Sequence, residues 1–166
     1  MLRHPSLIPL SHQHQHGLAL CVLIERGLRE DASPENTAKL ARQAADLFEL
    51  ELRNHFDVEE RILFPAIRES LGPTPLVEQL VVEHRELEAL IARGAAALPD
   101  FAAALAAHIR REERELFEDI QKRLPPEKLE QLGRLVEKEV VRVCASGSES
   151  ALYRAARVSK RLFRKQ

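Results

Sequence analysis

Tryptophan is absent from this 166-residue chain, tyrosine occurs once, and aromatic residues make up only 4% of it. The bulk is Ala, Leu, Glu and Arg, all strong helix formers. Net charge is also missing: the formal value is −1, so nothing in the total points to a polyanion-binding protein. No segment approaches the roughly 20 apolar residues of a membrane helix. The apolar run Leu18–Ile24 follows a His-rich segment and leads into Glu-Arg-Gly, not a small-residue cleavage site, so no signal peptide is expected. Cys21 and Cys144 stand far apart without metal-type spacing, which fits inert thiols in a reducing compartment. A cytoplasmic protein is expected. No stretch alternates apolar and polar residues as a half-buried strand would.

Gly and Pro sit mostly between periodic segments. A first helix is expected over 11–29, with Ser11 as its cap and Gly17, Leu18, Cys21 and Val22 along one stripe. Ser33-Pro34-Glu35 is a clear helix start, and Gly72-Pro73 stops that helix after Leu71. Pro65 lies inside it and should bend it. Thr74-Pro75 opens a third segment to about Ala97, and Pro99-Asp100 a fourth to about Leu124. Pro125-Pro126-Glu127 opens a fifth, to about Val143. The fold expected is all-α: an up-down-up-down four-helix bundle over 1–124, then a helical extension over 125–166. The extension ends in a basic tail with six Arg or Lys and no acid between Ala151 and Gln166.

Against this plain background one motif is written twice. His55–Phe64 reads HFDVEERILF and His108–Phe117 reads HIRREERELF, identical at six of ten positions. Residues i and i+4 share a helical face, so His55 pairs with Glu59 and His108 with Glu112. Imidazole offers a nitrogen ligand, and a carboxylate can bridge two cations. His84 in "VEHREL" and one of His12, His14 or His16 in "SHQHQHGL" would come from the other two helices. Counting residues from the shared turns puts a His from all four helices at nearly the same height in the bundle. Burying several His and Glu there without a cation would strand costly polar groups. Imidazole with carboxylate suits iron, manganese or zinc, and bridging carboxylates favour iron or manganese. Glu60 and Glu113 read as surface acids paired with Arg, although they could also support ligands. Glu88, one turn beyond His84, is a weaker candidate.

The segments "HFDVEERILFP", "EHREL" and "HIRREERELF" resemble the hemerythrin-like (HHE cation-binding) family over roughly residues 7–124. The resemblance implies a four-helix bundle around a non-haem di-iron centre. It implies His14 as the first-helix ligand, ahead of His16 and His12. His55, Glu59, His84, His108 and Glu112 complete the set. Two departures stand out. Leu80 occupies the position four before His84 where hemerythrins carry a further His, and hemerythrin spacing would choose Glu113 over Glu112. A centre one imidazole short would leave coordination positions open to O₂, nitric oxide or peroxide. The expected function is therefore binding or sensing such a ligand, or handling iron, as a metal-binding protein more than a dedicated enzyme. Two alternatives are a di-iron oxidoreductase and a helical interaction module working through the basic residues of 154–165 on an anionic partner. Nucleic acid is not expected as that partner.

Overall fold

A computed structural model describes residues 2–146, with side chains over 2–140. The basic tail and the Cys144 side chain lie outside the described residues. Those residues form 3₁₀ turns at Pro5–Leu7 and Gly94–Ala97 and five helices, with no strand among them. The helices are α1 (Ile8–Glu30), α2 (34–71), α3 (Pro75–Ala92), α4 (98–123) and α5 (Pro126–Ser146). The first four form an up-down-up-down bundle in which α1 and α3 each pack against α2 and α4. Short connections enforce that arrangement. Gly72 ends α2 at φ 78°, a left-handed conformation that glycine adopts without strain.

Helix α1 begins earlier than its sequence suggests. Pro9 sits in its first turn, where a missing N–H costs nothing, so Ser11 is an interior residue and not a cap. The Ser11 hydroxyl instead donates to Glu113 Oε1 at 2.7 Å. The buried face of α1 steps by three and four through Leu10, His14, Gly17, Cys21 and Ile24. Val22 is turned outward, 54% exposed, and so departs from the expected stripe. Ser33 caps α2 as its sequence implies, accepting from the Asn36 N–H at 3.3 Å.

The duplicated motif changes the winding of both helices that carry it. A π turn spans Glu59–Leu63, closed by the Phe64 N–H on the Glu59 carbonyl. Another spans Glu112–Leu116, closed by the Phe117 N–H on the Glu112 carbonyl. Pro65 follows the first π turn, but no proline follows the second, so proline is not the shared cause. A third π turn, Phe48–Leu52, lies outside the motif, but the two within it begin at the same motif position, and such turns concentrate at functional sites.

The apolar core is in two parts. One cluster contains Leu20, Leu52, Phe56, Leu87, Leu105 and Ile109. The other contains Leu10, Val58, Leu63, Leu80, Leu116 and Phe117. Each bundle helix passes from one cluster to the other at its His: between Leu10 and Leu20, Leu52 and Val58, Leu80 and Leu87, Leu105 and Leu116. The second cluster also takes in Leu129, Leu132, Val136 and Val140 of α5, so the extension shares the core of the bundle.

Helix α5 reaches the bundle through Gly133. A β-carbon there would stand 2.8 Å from the Ser6 Cα, a backbone atom that cannot swing aside. Gly→Ala normally stabilises an exposed helix. At Gly133→Ala the sign should reverse, because α5 must move away from the Pro5–Leu7 turn. The expected cost is that of overpacking, about 1–3 kcal/mol. For a chain of this size that is a melting temperature lower by about 2–12 °C, measurable by thermal denaturation.

Candidate metal centre

Between the two apolar clusters lies a layer of polar side chains. His14, His55, Glu59, His84, His108 and Glu112 are all buried, none more than 2% exposed. They fall into two overlapping groups: His14, His55, Glu59 and Glu112; and Glu59, His84, His108 and Glu112. Within each group, one donor atom per residue lies within 4.8 Å of all the others. Both carboxylates are common to the two groups, as bridging between two positions requires. His55 and Glu59 meet at 3.3 Å, and His84 Nε2 lies 3.4 Å from the other Glu59 oxygen. His108 Nε2 lies 3.4 Å from Glu112 Oε2, and His14 Nε2 lies 3.0 Å from the same atom, though out of line for a hydrogen bond.

The remaining candidates fall elsewhere. His12 and His16 are exposed, and His16 pairs with Glu51 at 2.7 Å on the surface. Glu88 pairs with Arg85 and Arg53 outside the layer. Glu113 lies behind His14 and not in the cluster.

Each imidazole is held from behind by a different helix. His55 Nδ1 meets Gln13 Oε1 at 3.1 Å, and His84 Nδ1 meets Glu60 Oε1 at 2.8 Å. His108 Nδ1 meets Glu83 Oε2 at 2.9 Å, and His14 Nδ1 meets Glu113 Oε1 at 2.7 Å. The partners run around the bundle in a closed circuit: α1 holds the His of α2, α2 that of α3, α3 that of α4, and α4 that of α1. Three of the four acceptors are carboxylates with an arginine behind them: Arg85 on Glu60, Arg111 on Glu83 and Arg3 on Glu113. Glu60 and Glu113 are therefore not simply surface acids. Each spends one oxygen on an arginine and the other on a buried imidazole.

An ionised carboxylate oxygen and the amide oxygen of Gln13 can only accept, so these contacts place the proton on Nδ1 and leave the Nε2 lone pair facing the centre. His14 Nε2 and His55 Nε2 then face each other at 2.9 Å, lone pair to lone pair. A proton or a cation must intervene. Burial works against a charged His14, but Glu112 and Glu113 overcome it and lift its pKa to about 8. Burial, and then the charge of its neighbour Glu112, hold the Glu59 carboxyl well above the ordinary range. Burial also opposes ionisation of Glu112, but His108, His14 and His55 hold its carboxyl below that range. His55 and His84 are pushed down by burial and by the other imidazoles.

The scarce aromatics are concentrated on this layer. Phe56 stacks on His84 with centroids 4.0 Å apart, and Phe64 covers the same ring from 5.8 Å. Phe117 stacks on His14 at 5.4 Å, with the Arg3 guanidinium over it. Phe64 and Phe117 are the closing residues of the two motif copies, and each fixes the orientation of an imidazole.

The metal-free layer is costly, which gives a signed prediction. Glu59 has a folded-state pKa above its unfolded value, so its contribution to stability falls as pH rises past the ordinary carboxylate range. Glu59→Gln removes the ionisable group and supplies an amide that can donate to Glu112. Relief of one unsatisfied buried group is worth about 1–3 kcal/mol. In chelator at pH 7, Glu59→Gln should melt about 2–12 °C above wild type, although it removes one of the two carboxylates common to both groups. An equal or lower melting temperature would show that the layer tolerates the carboxylate without a cation.

No curated protein and no solved structure matches the chain. A family model, the hemerythrin HHE cation-binding domain, matches residues 9–120, the stretch that carries all six residues of the buried layer. The chain is therefore a member of the hemerythrin HHE cation-binding family.

Proposed function

We propose that this protein is a non-haem di-iron protein of the cytoplasm that binds or senses O₂, nitric oxide or peroxide, or handles iron. The observation that carries the reading is where the unsatisfied atoms fall. Among the described residues, buried side-chain atoms without a hydrogen-bond partner are Asn54 Nδ2, both oxygens of Glu59, both of Glu112, and Nε2 of His84 and of His108. All but the first belong to one layer. A native protein leaves few buried polar groups unsatisfied, and stranding several together requires a counter-charge. His14 and His55 would hold one ion, His84 and His108 a second, and Glu59 and Glu112 would bridge them. Iron is favoured over zinc by the paired, carboxylate-bridged donor set, with manganese as its nearest substitute.

Bound iron would supply reversible one-electron chemistry and coordination sites for a small ligand. The chain itself supplies orientation and enclosure. The four Nδ1 contacts fix each imidazole with Nε2 inward. The two apolar clusters keep bulk water from the layer. Leu80, fully buried four residues before His84, puts a hydrocarbon wall where a further imidazole would add a ligand. Six protein ligands for two ions leave room for a small exogenous molecule.

Aerobic iron loading should give two ions per chain, one for each four-residue group, with near-ultraviolet charge-transfer absorption. Elemental analysis finding no transition metal after loading would defeat the reading. Binding to the folded state alone adds about 4 kcal/mol when free metal is a thousandfold above its dissociation constant. Anaerobic iron should therefore raise the melting temperature by about 8–16 °C over metal-free protein. His55→Ala and His108→Ala should each abolish most of that increment, whereas His16→Ala should leave it intact.

A further inference from the structure

The circuit of outer contacts is broken at one place. Three imidazoles donate to carboxylates, but His55 donates to the amide oxygen of Gln13. Gln13 is buried, 7% exposed, and is no loose surface contact. The difference is unequally shared between the two groups of ligands. His84 and His108 are both backed by carboxylates, Glu60 and Glu83. Of His14 and His55, only His14 is so backed, by Glu113.

The sequence marks the same break. The first hairpin presents Gln13-His14, His55 and Glu59-Glu60, and the second presents Glu83-His84, His108 and Glu112-Glu113. Position for position the two sets agree except where Gln13 stands opposite Glu83. A charged acceptor on Nδ1–H pulls the proton toward itself and makes the opposite nitrogen a stronger donor. A neutral amide does so less.

We propose that Gln13 makes the two metal positions of the centre unequal: the position of His84 and His108 binds first and tightly, and that of His14 and His55 binds second and exchanges. This inference rests on the di-metal reading above and adds to it an order of filling and the residue that sets it. Gln13 and Glu83 are positioning residues, since neither lies in the ligand groups themselves. The outer contacts of a metal ligand typically alter affinity by about 10–100-fold.

The test is an anaerobic titration of the metal-free full chain with Co²⁺, followed by d–d absorption and chelator competition. Wild type should take up its two equivalents in steps separated by about tenfold or more. Repulsion between neighbouring cations would also separate the steps, so the decisive result is which step each variant moves. Glu83→Gln should weaken the first step by about tenfold or more and leave the second nearly unchanged. Gln13→Glu should strengthen the second step and leave the first. Should Gln13→Glu fail to fold, as judged by far-ultraviolet dichroism, Gln13→Ala serves in its place and should weaken the second step alone. Both variants acting on one step, a reversed assignment, or two equal affinities in wild type would overturn the inference while leaving a di-metal centre standing. Absence of Co²⁺ binding in wild type would overturn the di-metal reading and this inference with it.

Discussion

The structure depends on a single electrostatic constraint: two carboxylates and four imidazoles are confined to one buried layer of a helical bundle. Removing such groups from water costs several kcal/mol per ion, and hydrogen bonds to the outer nitrogens recover only part of it. The inner atoms of Glu59, Glu112, His84 and His108 have no hydrogen-bond partner in the protein. The two apolar clusters must therefore stabilise the fold despite this layer, and the chain spends most of its fully buried Leu, Ile and Phe on either side of it. The extension contributes here too. Helix α5 adds four aliphatic residues to the cluster that contains Leu80 and Phe117.

The repeated motif follows from the way the layer is built. Each copy provides an imidazole, an inward carboxylate, an outward carboxylate that holds the His of the next helix, and a Phe that stacks on an imidazole. The motif Leu63 and Leu116 enter one apolar cluster, while Arg61 and Arg114 are exposed. The two hairpins are thus near-equivalent halves placed face to face, as the subunits of an isologous dimer would be. Equivalence accounts for the duplication better than surface ion pairing does, because the paired Glu residues point to opposite sides of the layer.

Much of this was legible in the sequence. Helix number and order followed from the Pro and Gly positions, and the i,i+4 spacing put His55 beside Glu59 and His108 beside Glu112. Counting along the helices brought His84 to the same height. The choice among His12, His14 and His16 needed the helix phase, since a two-residue slip turns a side chain by about 200°. The start of α1 was misjudged because Ser11 resembles a cap, whereas Pro9 fixes the real first turn. The outer circuit was not read. A hydrogen bond between helices has no periodicity, and Glu60 or Glu113 beside Arg looks like any solvated face. A signal was present in the doublets Gln13-His14, Glu59-Glu60, Glu83-His84 and Glu112-Glu113. One member of each turns into the layer and the other reaches across to the neighbouring helix.

A core divided in this way bears on how the molecule fluctuates. The polar layer supplies little hydrophobic cohesion, so each apolar end is held chiefly by its own contacts, and the helices are wound more loosely where two of the π turns cross between them. Local opening at one end need not spread to the other unless something ties the layer together. An ion held by residues of all four helices would be such a tie: it would convert two weakly linked cooperative units into one. On the same division, partial opening of one end would expose the layer without global unfolding of the bundle.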